Sequence, residues 1–79
     1  NEADHKILLN FIKVGDIAVY RIPPDYTLPY LFYAIHRIVE IGKDKEGRYF
    51  KLQGDNNAVK DPYKARDENI LWLSIGTIF

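Results

Sequence analysis

The 79-residue chain is short enough to form a single domain, residues 1–79, around a small hydrophobic core. Its eleven basic and eleven acidic residues cancel, which argues against nucleic-acid binding because that function needs a positively charged surface. With no cysteine and only two histidines, the sequence predicts no disulfide, no structural metal and no other cofactor.

The N-terminal part of the chain predicts a helical turn, a strand and a loop. Apolar residues at helical spacing follow Asp4, a possible N-cap, and predict one or two helical turns over residues 7–12. From Asp16 the sequence DIAVYRI is rich in β-branched and aromatic residues, which is typical of a strand. Three prolines between residues 23 and 29 cannot donate to a strand ladder and therefore indicate a loop.

The remainder of the chain predicts a β-hairpin and a closing strand. The apolar run LFYAIHRIVEI and the later YFKLQG flank a polar turn that contains glycine, so residues 31–53 predict a hairpin. Pro62, directly after Asp61, predicts a short helix or turn, and the apolar ILWLSIGTIF predicts a strand over residues 70–79. The expected fold class is mainly β, a small fold of hairpins with one or two short helical turns and with residues 15–79 as its β core.

Three polar side chains are candidate site residues. Strand alternation places His36 among apolar neighbours in mid-strand, where it is either a packing residue or a general base. Asp55 is explained equally by an Asx-turn, and Asp61 by a cap on the turn that Pro62 begins. In combination, however, one imidazole and two carboxylates delivered by neighbouring strands resemble the base-and-orienter half of a serine-hydrolase site.

Three sequence boxes lead to a family resemblance. VGDIAVYRI, IHRIVEI and GDNNAVKD, in this order across residues 12–62, resemble boxes of the type I signal peptidases, specifically the archaeal and endoplasmic-reticulum branch. The resemblance implies a signal-peptidase-like β fold in which His36, in the HR box, is the general base and Asp55 and Asp61 are the acidic members. Asp61 is the first choice for the carboxylate that orients the imidazole, because it resembles the family's required acid, and Asp55 is the second choice. It also implies a serine-type endopeptidase that removes signal peptides from secretory preproteins. Such an enzyme lies in the cell membrane or endoplasmic-reticulum membrane, with its soluble domain on the extracytoplasmic or lumenal side.

The nucleophile is where the chain departs from the family's pattern. The family's serine lies in a Ser-Met box upstream of the Gly-Asp strand, after a transmembrane helix, whereas the one serine of this chain is Ser74 in the closing strand. No apolar run of the chain is long enough to cross a bilayer. Because the sequence opens at Asn1 without an initiator Met, we expect a fragment of a longer protein, inactive by itself, whose parent reaches the bilayer through a transmembrane segment outside the chain.

Two other classes of function fit the same residues. A non-catalytic homologue would keep the β scaffold as an interaction module, and a Ser-Met box in the full-length protein would exclude it. A β-rich autoprotease of the SOS-repressor type would use a lysine base, and the HR box argues against it. A sheet edge left open in the fragment would allow self-association.

The aromatic segment PPDYTLPYLFYA, residues 23–34, also has two interpretations. Its rings either pack on the small core, because aromatic side chains dominate burial in short domains, or form a membrane-facing edge. Tyrosine favours the bilayer interface, where both its ring and its hydroxyl are accommodated.

Overall fold

The computed structural model describes residues 9–27 and 29–74, which form a four-stranded antiparallel sheet with the order β3-β2-β1-β4. The strands are β1 (Ile17–Arg21), β2 (Tyr33–Asp44), β3 (Gly47–Gln53) and β4 (Ile70–Ser74). Short 3₁₀ turns lie at Pro24–Tyr26 and Asp67–Asn69. The predicted mainly β fold of hairpins with short helical turns is therefore confirmed.

The core covers one face of the sheet, because alternate strand residues point to that face. Its buried side chains are Leu9, Ala18, Tyr20, Ile22, Ile38, Phe50, Leu52, Tyr63, Ala65, Ile70 and Leu73. On the opposite face Val19 pairs with Ile35 of β2 and with Trp72 of β4. Ile35 is 65% exposed and Trp72 is 67% exposed, so the outer face of the sheet is apolar and open to solvent.

The predicted hairpin is formed by β2 and β3, and it contains one irregularity. Gly47 opens β3 with a φ of 112°, a left-handed conformation that glycine adopts without strain. The pairing register shifts between Ile38 and Glu40, and beyond this bulge Ile41 lies opposite the buried Phe50. Unbroken alternation along β2 would put Glu40 on the same face as His36, but the bulge inserts an unpaired residue and so reverses the faces beyond it.

The segment between β3 and β4, residues 54–69, returns across the edge of the hairpin. The amide of Asp61 donates to the carbonyl of Leu52, and Ala65 and Phe50 exchange both backbone hydrogen bonds. The chain bends at Pro62 but forms no helix there, and the short helical turn lies further on at Asp67–Asn69. Proline removes a donor but does not by itself impose a helix, and here the bridge to β3 takes the segment instead.

Ion pairs at the hairpin tip hold this returning segment. The guanidinium of Arg66 donates to both carboxylate oxygens of Asp44 at 2.8 and 2.9 Å, and Lys64 donates to Asp44 at 2.9 Å. The hydrogen bonds from Arg66, and after them the one from Lys64, hold the pKa of Asp44 well below its usual range. The segment that carries Asp61 is thus attached to the sheet at both of its ends.

The aromatic segment does not pack on the core as one interpretation had it. Tyr30 is 97% exposed, and Phe32 and Tyr33 are about half exposed. Tyr26 is also half exposed, although its ring contacts Tyr63 at a centroid distance of 5.3 Å. The core is too small to receive these rings, because Tyr20, Phe50 and Tyr63 already fill it.

Some predictions fall on residues outside the described ranges. The N-cap at Asp4, the first residues of the predicted helical turn and the last five residues of the predicted final strand belong to them. Within residues 9–27 and 29–74, no helix has the length and apolar character that crossing a membrane requires.

Candidate active site

His36 and Asp61 are brought together by β2 and by the returning segment. His36 lies in the middle of β2 and faces the core side of the sheet, since it pairs with the fully buried Ala18. Its Nδ1 atom is 2.7 Å from Oδ2 of Asp61, whose residue is only 9% exposed. A histidine and a buried carboxylate predicted as base and acid are therefore hydrogen-bonded to each other.

Two tyrosines surround the carboxylate of Asp61. The hydroxyl of Tyr20, a residue of β1, donates to the same Oδ2 atom at 2.7 Å and lies 3.3 Å from Nδ1 of His36. The hydroxyl of Tyr63 is hydrogen-bonded to that of Tyr20. Burial, and then the hydrogen bond to Asp61, raises the pKa of Tyr20, so its hydroxyl keeps its proton at neutral pH.

Neither tyrosine was predicted from the sequence as a site residue. Tyr20 reaches the site because Ala18 pairs with His36, which places Tyr20 diagonally across the strands on the same face. Had the register of β1 against β2 been known, strand alternation would have identified Tyr20. Tyr63 follows Asp61 by two residues, and nothing in its local sequence distinguishes it from an ordinary core aromatic.

The second ring nitrogen of His36 faces the turn at residues 54–57. A Cβ atom added to Gly54 would lie 3.2 Å from Nε2 of His36 and 2.7 Å from the side-chain nitrogen of Asn57. Glycine therefore allows the turn to pass close to the ring. The side chain of His36 is 25% exposed, so the imidazole is accessible from solvent.

Asp55 is directed at Arg37 rather than at His36. The guanidinium of Arg37 donates to both carboxylate oxygens of Asp55, at 3.0 and 3.1 Å, and a further nitrogen donates to the carbonyl of Gly15 at 2.7 Å. These hydrogen bonds lower the pKa of Asp55. Arg37 thus links the turn after β3 to the start of β1, on the exposed side of the site.

Ser74 lies away from the imidazole. It pairs with Ile17 in the sheet, whereas the residue of β4 that lines up with Ala18 and His36 is Leu73. Neighbouring residues of a strand point to opposite faces, so Ser74 and His36 are on opposite faces of the sheet. The described residues consequently hold no serine beside the ring.

The chemistry of this arrangement is that of an oriented base. A carboxylate can only accept hydrogen bonds, so a neutral His36 presents an N–H at Nδ1 to Asp61 and keeps the lone pair of Nε2 for another proton. No group of three or more potential metal ligands occurs in residues 9–27 and 29–74. The fold and the cluster define a small β protein in which a histidine of the sheet is hydrogen-bonded to a buried carboxylate.

Comparison with known proteins gives a more particular result. Over 77 aligned residues, covering 86% of this chain, it is 36% identical to the signal peptidase complex catalytic subunit of Eremothecium gossypii. This similarity confirms the predicted resemblance to type I signal peptidases of the endoplasmic-reticulum type. The chain spans 41% of the length of that relative. No protein-family profile matches the chain, and no solved structure matches it.

Proposed function

We propose that the full-length protein carrying this chain is a serine-type endopeptidase that removes signal peptides from secretory preproteins. In this proposal the chain supplies the general base, His36, and the acid that orients it, Asp61. The observation that carries the proposal is the 2.7 Å hydrogen bond between Nδ1 of His36 and the buried carboxylate of Asp61. Similarity to a signal peptidase catalytic subunit supports it from the sequence side.

The proposed reaction uses Nε2 of His36. A serine hydroxyl, supplied by a part of the protein outside this chain, loses its proton to Nε2 while its oxygen attacks the carbonyl carbon of the scissile peptide bond. The imidazolium so formed is stabilised by Asp61 and returns the proton to the leaving amine. That amine is the N-terminus of the mature protein, which leaves at this step. Water, whose proton is taken by Nε2, then attacks the acyl-enzyme, which releases the signal peptide and regenerates the serine.

Asp55 has a different role in this proposal. Because both of its oxygens accept hydrogen bonds from Arg37, it braces the turn at residues 54–57 rather than orienting the imidazole. This turn passes close to Nε2 at Gly54, so the brace fixes the part of the chain that lies next to the base. Asp55 is thus the second acidic member of the site, and it acts on the turn rather than on the imidazole ring.

Substrate and location follow from the same class of enzyme. The substrates would be secretory preproteins, whose extended cleavage region adds as a strand to a sheet edge. The protein would lie in the endoplasmic-reticulum or cell membrane, held by a segment outside this chain, with this domain on the extracytoplasmic or lumenal side. The exposed rings of Tyr30, Phe32 and Tyr33 support such a location, since tyrosines favour the bilayer interface.

The test is cleavage of a preprotein by the full-length protein in membranes. We expect His36→Ala to lower the rate by a hundredfold or more, on the order of the contribution of a general base, while the protein still accumulates and folds. Ser74→Ala is the matched control, and it should cleave at the wild-type rate because Ser74 lies on the opposite face of the sheet from His36. The isolated 79-residue chain should be inactive, since no serine of its described part lies beside the base.

Two results would contradict the proposal. Near-normal cleavage by His36→Ala would leave a non-catalytic interaction module as the function of this chain. Specific cleavage by the isolated chain, abolished by Ser74→Ala, would make Ser74 the nucleophile and remove the need for a serine from elsewhere.

A further inference from the structure

We propose that Tyr20 is a positioning residue of this site, whose buried hydroxyl keeps Asp61 ionised and so keeps the proton of a neutral His36 on Nδ1. The inference rests on the proposed function, because it concerns how the base of that reaction is prepared. Tyr63 assists Tyr20 in this role. Both tyrosines are buried, Tyr20 is hydrogen-bonded to Asp61, and Tyr63 is hydrogen-bonded to Tyr20, so each acts through Asp61 rather than on the substrate.

The direction of each hydrogen bond follows from a count of protons. Oδ2 of Asp61 lies 2.7 Å from the hydroxyl of Tyr20 and 2.7 Å from Nδ1 of His36, and a carboxylate can only accept. The single proton of Tyr20 therefore points to Asp61. Tyr63, which is hydrogen-bonded to the oxygen of Tyr20, must direct its own proton to that oxygen. The order of donation is Tyr63 to Tyr20 to Asp61.

This order matters because Asp61 is nine-tenths buried. A buried carboxylate is stable in its ionised form only if donors surround it, and otherwise it takes up a proton. A His36 ring that acts as a base offers one N–H to Asp61, and the O–H of Tyr20 is the second donor to the same oxygen. With both donors in place Asp61 stays an acceptor, and the lone pair of the imidazole remains on Nε2.

The charges around the ring determine what the loss of this donor would do. The titratable groups that face the imidazole are Tyr20 from β1, Arg37 from β2, and Asp55, Asp61 and Tyr63 from the segment after β3. Arg37 and Asp55 neutralise each other through their two hydrogen bonds. Without the hydroxyl of Tyr20, Asp61 loses one of its donors and its charge depends more on His36, so the pair holds a proton more tightly.

The experiment measures kcat against pH for preprotein cleavage by the full-length protein in membranes. Tyr20→Phe keeps the ring in the core and removes only the O–H, so we expect the acidic limb of the profile to move up by about one pH unit with KM little changed. Tyr63→Phe should move it in the same direction by less. Tyr49→Phe is the matched control, since it removes a hydroxyl that donates to Glu40, remote from the ring, and it should leave the profile in place.

A second variant covers the case in which Tyr20→Phe fails to fold. Replacing Tyr20 by 3-fluorotyrosine makes the phenol a stronger donor, which should move the acidic limb to lower pH, opposite to Tyr20→Phe. If the role of Tyr20 were purely structural, the two variants would lower Tm but would not move the acidic limb in opposite directions. An acidic limb that stays in place, or that moves in the same direction in both variants, would overturn the inference. If His36→Ala abolishes cleavage in the same assay and the limb does not move, only the role of Tyr20 fails. If His36→Ala cleaves normally, the proposed function fails with it.

Discussion

Two aspartates of the same turn region, Asp61 and Asp55, have opposite surroundings. Asp61 is 9% exposed and accepts hydrogen bonds from a histidine and a tyrosine. The side chain of Asp55 is 62% exposed and accepts hydrogen bonds from an arginine. The family resemblance favours Asp61 over Asp55 as the orienting acid, and of the two only Asp61 is hydrogen-bonded to the imidazole.

The two aspartates differ because Asp61 lies in a buried site of low dielectric constant beside a histidine, whereas Asp55 lies at the surface beside an arginine. An interaction in a buried site is screened far less than one in water, so the charge of Asp61 can set the tautomer of His36. Arg37 is always charged and is surrounded by solvent, so its pair with Asp55 fixes geometry at little gain in free energy. A carboxylate near a histidine is therefore a candidate acid only when it is both buried and bonded to the ring.

The largest effect expected from this comparison is that of Asp61→Asn. The amide would donate to Nδ1, so the neutral ring would carry its proton on Nε2 and could not accept another there. We expect preprotein cleavage by the full-length protein to fall by on the order of 10²- to 10⁴-fold. Asp55→Asn, the same chemical change six residues earlier, is the matched control and should retain most of the activity. Equal losses in the two variants would contradict the assignment of Asp61 as the orienting acid.

A smaller effect is expected for the brace between Asp55 and Arg37. Because the pair is exposed, Asp55→Ala and Arg37→Ala should each lower the cleavage rate by about fivefold or less, with a small decrease in Tm. The double variant should be no worse than the more damaging single variant, since either change already breaks the same contact. Rates that multiply in the double variant would show that the two side chains act independently.

The smallest effect is the pH dependence of this brace. Arg37 lowers the pKa of Asp55 in the folded protein, so the pair stabilises the fold above the ordinary aspartate pKa of about 3.9 and is lost as the pH falls through the lowered value. The wild type should therefore have a higher Tm than Asp55→Asn at pH 7. That difference should persist down to about pH 4 and disappear in stronger acid. A difference that grows on acidification would have the wrong sign for a depressed carboxyl pKa.

Much of the fold could be predicted from local sequence. The strands β1, β2 and β3 can be recognised from the alternation of their side chains, because alternate residues of a strand share a face. Gly47 marks the turn between β2 and β3. The bulge after Ile38 could not be predicted, because the partner strand decides where an extra residue is accommodated. The exposure of the Tyr30 ring could not be predicted either, because burial depends on how much room the other core side chains leave.

For the candidate site, the sequence by itself determined which chemical groups are available, namely the imidazole of His36 and two carboxylates. The family resemblance already favoured Asp61 over Asp55, but only the tertiary structure showed which group each carboxylate bonds, and only it added Tyr20. The physical reason is that a hydrogen bond depends on distances of about 3 Å between atoms that are 16 to 41 residues apart in the chain. Sequence spacing places a side chain on a face of its own strand, but strand register and burial decide which groups meet there and how strongly their charges interact.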